Sequence, residues 1–203
     1  MKKVYSRRIK KPARRRDAAA TRAAILHSAR RAFARAGYDG AGVREIAAAA
    51  GVTAMLVNRY FGSKEKLFAE VVAATMATPT ILTKEILESP TRGADIAAAL
   101  VSITKTGANP LEGFLIMLRS ASSKRAAAIG RVQIEKHHQR VMTAALRGEL
   151  APQRAALVLS LVAGFQVMRQ MIGLSALAKA EPAALIRILA PVLELLVQSP
   201  SGD

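Results

Sequence analysis

The chain has 203 residues, a formal net charge of +17 and no cysteine. Disulfides, thiol catalysis and cysteine-ligated zinc are thereby excluded, and a reducing compartment fits. The charge is uneven: 1–75 holds 17 Lys/Arg against 5 Asp/Glu, and 76–203 holds 14 against 9. Positive charge gathered at one end is the footprint of a surface that neutralises phosphates, against which stand a solubilising surface and attraction to an acidic membrane.

Residues 1–18 read as a basic tail. Lys2, Lys3, Arg7 and Arg8 could open a leader, but Lys10, Lys11 and Arg14 to Arg16 stand where its apolar stretch should follow. Such an unpatterned segment is expected to stay disordered without a polyanion. It reads either as a solubilising extension or as an arm that follows a nucleic-acid backbone or enters a minor groove.

Helical patterning begins near Asp17, an acid well placed for a first helical turn. Ile25, Ala29, Ala32, Phe33 and Ala36 then recur at three- and four-residue steps. Gly37 ends this helix, and Tyr38 to Gly42 reads as a C-cap and turn, since no strand precedes it as in a phosphate-cradling loop. A short helix from Val43 to Ala49 or Ala50 is broken by Gly51. The next runs from Thr53, a good N-cap, to Tyr60, with Val57 and Phe61 turned inward. Ser63 caps a fourth helix carrying Leu67, Phe68, Val71 and Val72.

The remainder is helical and apolar, without strand alternation. Helices are predicted over 95–104, 110–121, 124–146, 152–174 and 182–198, punctuated by Pro79, Pro90, Gly107, Pro110, Gly148, Pro152 and Pro182. The most apolar run, 155–165, is 11 residues long against the roughly 20 a bilayer span needs, so no span and no membrane partner is expected. The predicted class is all-α: an N-terminal three-helix head over 19–79 and a larger C-terminal helical body over 80–203.

Two short helices joined at Gly51 make a helix-turn-helix, whose steep turn favours a residue tolerant of positive φ. In such units the second helix lies in the major groove. With Val57 buried, its open face carries Thr53, Ala54, Met55, Asn58 and Arg59. Asparagine pairs with adenine, arginine with guanine, and Ala and Met pack on thymine methyls. Arg44, Tyr60 and Lys64 complete the candidate DNA-binding set, the last two suited to phosphates. A helical hairpin with no DNA role is the plain alternative.

The stretch Ile46-Ala47 … Ala50-Gly51-Val52-Thr53 … Arg59-Tyr60-Phe61-Gly62-Ser63-Lys64-Glu65-Lys66-Leu67-Phe68 resembles the N-terminal domain of TetR-family (tetracycline-repressor-like) regulators. Arg22, Ile25, Leu26, Ala29, Phe33 and Gly37 continue the likeness, which spans about sixty residues, from near Ala19 to Pro79. The resemblance implies a cytoplasmic homodimer whose two heads enter successive major grooves of palindromic double-stranded operator DNA. It also implies that Lys64 and Tyr60 fall on phosphate-contacting positions. Two places depart from the family: Ala41 and Gly42 stand where Thr or Ser usually caps the second helix, and Asn58 where tyrosine is usual.

In the body, Leu157, Leu161, Phe165, Met168 and Ile172 recur at helical spacing, as do Leu185, Ile188, Leu189, Val192 and Leu196. Both faces are wider than one packing contact needs. Leu157, Leu161, Phe165, Met168, Leu189, Val192 and Leu196 are the candidate dimer interface, against a plain intrachain core. The resemblance implies a small-molecule effector in the body, released DNA being its outcome. Met76, Phe114, Met117, Leu118, Met142 and Met171, with Leu82, are candidates for an apolar pocket, though each could be ordinary core.

His137 and His138 project about 100° apart on a helix, which argues against shared chelation and for a polar, exposed face. No metal site or cofactor is predicted. With three histidines and no H-E-x-x-H, G-x-S-x-G or phosphate loop, no catalytic site assembles, and no enzyme is expected. Three readings of function remain: a sequence-specific regulator, expected to be a repressor released by a small apolar effector, a non-specific nucleoid-like DNA-binding protein, and a helical adaptor whose body binds another protein.

Overall fold

The computed structural model describes residues 13–77, 81–105 and 112–198, and every described element is helical. In chain order these are α1 (Ala13–Gly40), α2 (Val43–Ala49), α3 (Ala54–Phe61), α4 (Lys64–Met76), α5 (Lys84–Glu88), α6 (Arg92–Ile103), α7 (Glu112–Ser120), α8 (Lys124–Ile134), α9 (Arg140–Ala145), α10 (Ala151–Gln166), α11 (Ser175–Ala178) and α12 (Pro182–Val197). π-Helical turns at Glu135–Gln139 and Val167–Met171 continue α8 into α9 and lengthen α10.

The expected elements form, with differences at their edges. The helix predicted from Asp17 starts at Ala13, so 13–18 belong to α1 and not to the tail. Of the tail expected over 1–18, residues 1–12 lie outside the described residues, as do the prolines at 79 and 110. At Gly37 the backbone turns to φ +67°, which breaks α1, yet Tyr38–Gly40 add a further helical turn instead of a loop. Neither α5 nor α11 was expected, because at five and four residues they are too short for a periodic pattern.

Two apolar cores form. The first joins Ile25, Phe33, Ile46, Val57, Leu67 and Phe68 of the head. Phe68 meets Phe33 and Tyr38 edge-on, with ring centroids 5.0 Å apart in each case. This core does not stop at the head: Ile116 of α7 and Ala126 of α8 are fully buried in it. The chain boundary expected at 79/80 is thus not a boundary between cores. The second core joins Ile96, Leu100, Met142, Val158, Leu185 and Leu193 of the body.

The seam between α7 and the head is made of named bonds. Arg119 donates to the carbonyl of Ala34, the Tyr38 N–H donates to Ser120 Oγ at 2.9 Å, and Ser123 Oγ donates to Asp39 at 3.2 Å. Arg125 reaches Glu65 at 2.6 Å. The first two satisfy backbone groups on either side of the break at Gly37.

Two arginines are buried in the body and serve as caps. Arg169, 5% exposed, donates to the carbonyls of Val101 and Leu177 and to Thr104 Oγ1. Arg154 donates to the carbonyls of Arg147, Leu196 and Gln198. A cation at the C-termini of α6 and α12 answers their dipoles as well as their unpaired carbonyls. With its π turn, the helix over 151–171 is 21 residues long and apolar enough in composition to cross a membrane, longer than the 11-residue run implied. Ala155, Val158 and Phe165 on one side of it are buried in the body together with the two guanidinium groups it carries, while its other side is exposed.

Candidate nucleic-acid interface and body cavity

α2 and α3 are set by a short, well-bonded turn. Gly51 sits at φ +68°, and the Val52 N–H donates back to Ala47 at 3.0 Å. Thr53 then caps α3, its Oγ1 accepting from the Leu56 N–H at 3.3 Å. Gly42 precedes α2 with no side-chain cap, as the departure at Ala41 and Gly42 implies. Val57 and Phe61 enter the core, fixing the rotation of α3.

That rotation leaves Met55 81% exposed and Thr53, Asn58 and Arg59 exposed, with Ala54 and Tyr60 half-buried. Arg44 is exposed on α2. Among the described residues, neither Arg44 nor Arg59 has an ion-pair partner. Arg35 pairs instead with Glu45, and Arg22 with Glu70, bracing α1 against α2 and α4. Lys64 lies half-buried on the first turn of α4, its Nζ 4.7 Å from the centre of the Tyr38 ring. Burial, reinforced by Glu65, raises the Tyr38 phenol above its ordinary range, so the ring faces Lys64 in its neutral form. The eight predicted residues therefore share one end of the head, six on α3 or its cap and one each on α2 and α4.

A cavity of about 660 Å³ lies between the two cores, within the size range of small-molecule sites. Of the predicted pocket residues, Met76, Phe114, Met117 and Leu118 line it, as does Leu82. Met142 does not: it is fully buried in the second core. Met171 is absent from the lining and sits on the second π turn. In sequence these methionines are equivalent, and only the packing of α9 and α10 separates them.

The lining also holds polar residues that the sequence reading did not select. Arg30 of α1 and Glu112 of α7 form an ion pair at 2.5 Å across it. On the body side stand Gln166, the last residue of α10, and His138, within the first π turn. His137 and His138 are half-buried, which corrects the exposed polar face expected of them. A π turn carries one extra residue, and its wider ring turns the following side chains about 100° off the helical register.

Burial, helped by His137, holds the His138 imidazole below its ordinary value of 6.5. The unfolded chain then takes up a proton at a pH where the folded chain does not. This residue's contribution is full above the unfolded value and lost as pH falls through the folded one. Melting temperature should fall between pH 7.5 and 5, and His138→Gln should reduce that fall. The same fall in both proteins would remove His138 as its cause.

On α10 and α12 the predicted dimer residues divide. Leu157, Met168 and Val192 are exposed, and Leu161, Leu189 and Leu196 are half-buried against the second core. Phe165 turns inward and is buried, with Arg169 stacked over its ring at 5.7 Å. Ile172, Ile188 and Leu195 add to the exposed apolar face.

Both halves match family models. Residues 25–71 fit the bacterial regulatory proteins of the tetR family, and residues 91–197 fit the tetracyclin repressor-like C-terminal domain. The chain belongs to the TetR family. Solved structures share the fold over nearly the whole length. A regulator from Streptomyces coelicolor is 23% identical with a TM-score of 0.57, over 93% of this chain and 98% of that one. A regulator from Mesorhizobium loti is 22% identical with a TM-score of 0.62, over 88% and 96%. The fatty acid degradation regulator FadR from Bacillus halodurans is 16% identical with a TM-score of 0.58, over 87% and 94%. No curated protein matches. As a TetR-family protein the chain is a DNA-binding transcriptional regulator, with its helix-turn-helix in the head and a helical body behind it.

Proposed function

We propose that this TetR-family chain is a cytoplasmic repressor, that two copies bind a palindromic operator, and that a small apolar effector in the body cavity releases it. The cavity's position carries this reading. Its walls come from α1 and α4 of the head and from α7 and α10 of the body, so one occupant touches elements of both cores. α7 also carries the bonds to the turn at Gly37. An occupant that displaces α7 thereby tilts the head, and effector and operator weaken each other reciprocally. The exposed apolar face of α10 and α12 supports pairing of two copies, which sets the spacing of the two heads. Adding an effector to the operator complex should raise its dissociation constant with the protein still dimeric; operator affinity independent of cavity occupancy would overturn the release step.

Within the head, Asn58, Arg59, Thr53, Ala54 and Met55 are proposed to face base edges, and Arg44, Tyr60 and Lys64 phosphates. Arg59→Ala should weaken binding to the preferred duplex by about 10–100-fold and relax sequence choice at one base pair, as loss of a bidentate pair does. Competition against single-base variants reads this directly. An equal loss on every sequence would move Arg59 to the phosphate backbone.

A further inference from the structure

Resting on the reading of the cavity as an effector site, we propose that it selects an uncharged amphiphile: an apolar chain or ring bearing one hydroxyl or carbonyl group, held between the Gln166 amide and the His138 imidazole.

Gln166 lies at the body end of the cavity lining. Its side chain is 97% buried by the measure of a relative exposure of 3%, it borders the cavity, and its amide bonds to no other described residue. An amide that borders the cavity with no hydrogen-bond partner among the described residues is available to a polar ligand atom. His138 stands on the same lining and likewise bonds to no described residue. Its imidazole is held in the neutral form, which offers one donor and one acceptor. The amide offers both as well. Such a pair matches a hydroxyl or a carbonyl and provides no counter-charge.

Each of these groups lies in or next to a π turn. His138 lies inside the first, and the second begins at Val167, directly after Gln166. Local π turns cost helix regularity and often accompany functional sites.

The charges on the lining exclude ions. Among the described lining residues Arg30 is the one guanidinium, and it is engaged by Glu112, so a carboxylate ligand would meet no unpaired cation among them and would face a carboxylate. An ammonium would compete with Arg30 for Glu112 and meet that guanidinium. The remaining wall of Met76, Leu82, Phe114, Met117 and Leu118 suits a hydrocarbon body.

The test uses the purified full chain without DNA and four eight-carbon probes: 1-octanol, 2-octanone, octanoate and octylamine at pH 7.5, measured by calorimetry. The two neutral probes should bind at least about tenfold more tightly than the two ions. Gln166→Leu should weaken the neutral probes about tenfold, and His138→Phe should do the same from the other wall should the first variant not fold. Glu112→Gln, which frees Arg30, should raise octanoate affinity about tenfold or more. Octanoate binding as tightly as octanol to the unaltered chain would overturn the proposal. So would neutral probes that fail to bind, or that bind both wall variants as well as the parent. Operator release is measured separately: octanol that binds with this preference yet leaves the operator complex intact would contradict the effector reading and leave the ligand class standing.

Discussion

Gly37→Val should lower stability by about 3–5 kcal/mol and the melting temperature by about 10 °C, the largest effect expected of any single substitution in the head. Two independent causes add at this residue. Its φ of +67° lies in the left-handed region, where a β-branched side chain is strained. Space is the second: a Cβ would fall against the carbonyl oxygen of Arg119 and 2.9 Å from its carbonyl carbon. Both are backbone atoms of α7, so relief means separating α7 from the head. Gly51 provides the contrast. Its φ is +68°, but nothing lies within 4 Å of an added Cβ. Gly51→Ala should therefore cost only about 1 kcal/mol. Thermal melts of the two variants side by side measure the difference, and equal losses would mean that the contact with Arg119 contributes nothing.

Removing residues 1–12 should weaken every DNA complex and flatten its salt dependence. The segment carries six Lys/Arg, and the cut spares α1, which begins at Ala13. Each neutralised phosphate releases counterions and adds about 0.9 to the slope of log affinity against log salt. If all six cations engage, the slope should fall by about 5, and affinity at low salt by roughly 10³-fold or more. Binding measured between 50 and 200 mM salt supplies the slope. An unchanged slope would place this arm away from DNA.

The head was legible in the sequence because each of its features has a local cause. Gly51 marks a turn that needs positive φ, Thr53 and Ser63 supply caps whose bonds form, and Val57 and Phe61, four apart, fix the buried side of α3. The exposed set on α3 follows from that rotation alone. The long body helices were legible from their period and their prolines.

The cavity was only half legible, for a physical reason. Periodicity tells that Met142 faces inward, not whether it meets a packed core or a hollow; the packing of α9 against α10 decides that. Phe165 shows the same limit, since its helical spacing from Leu161 and Met168 fits either side of a broad apolar face, and it lies inside. Gln166 and His138 escaped notice because a glutamine among apolar neighbours and a histidine pair look like surface. A π turn carries His138 inward, shifting the register without leaving a mark in composition, whereas Gln166 turns inward on α10 beside the buried Phe165. Ile116 and Ala126 likewise belong to the head's core through α7 and α8, a pairing far apart in sequence.

The central claim is sequence-specific binding by a two-headed regulator, and selection of duplexes from a random pool by the purified protein at about 150 mM salt tests it most directly. At that ionic strength, binding driven by charge alone is much reduced. The account predicts recovery of a palindrome whose half-sites lie about one helical turn apart, bound at least about 10³-fold more tightly than random sequence. A pool that yields no motif, with affinity that simply fades as salt rises, would contradict it and make the chain a non-specific DNA-coating protein.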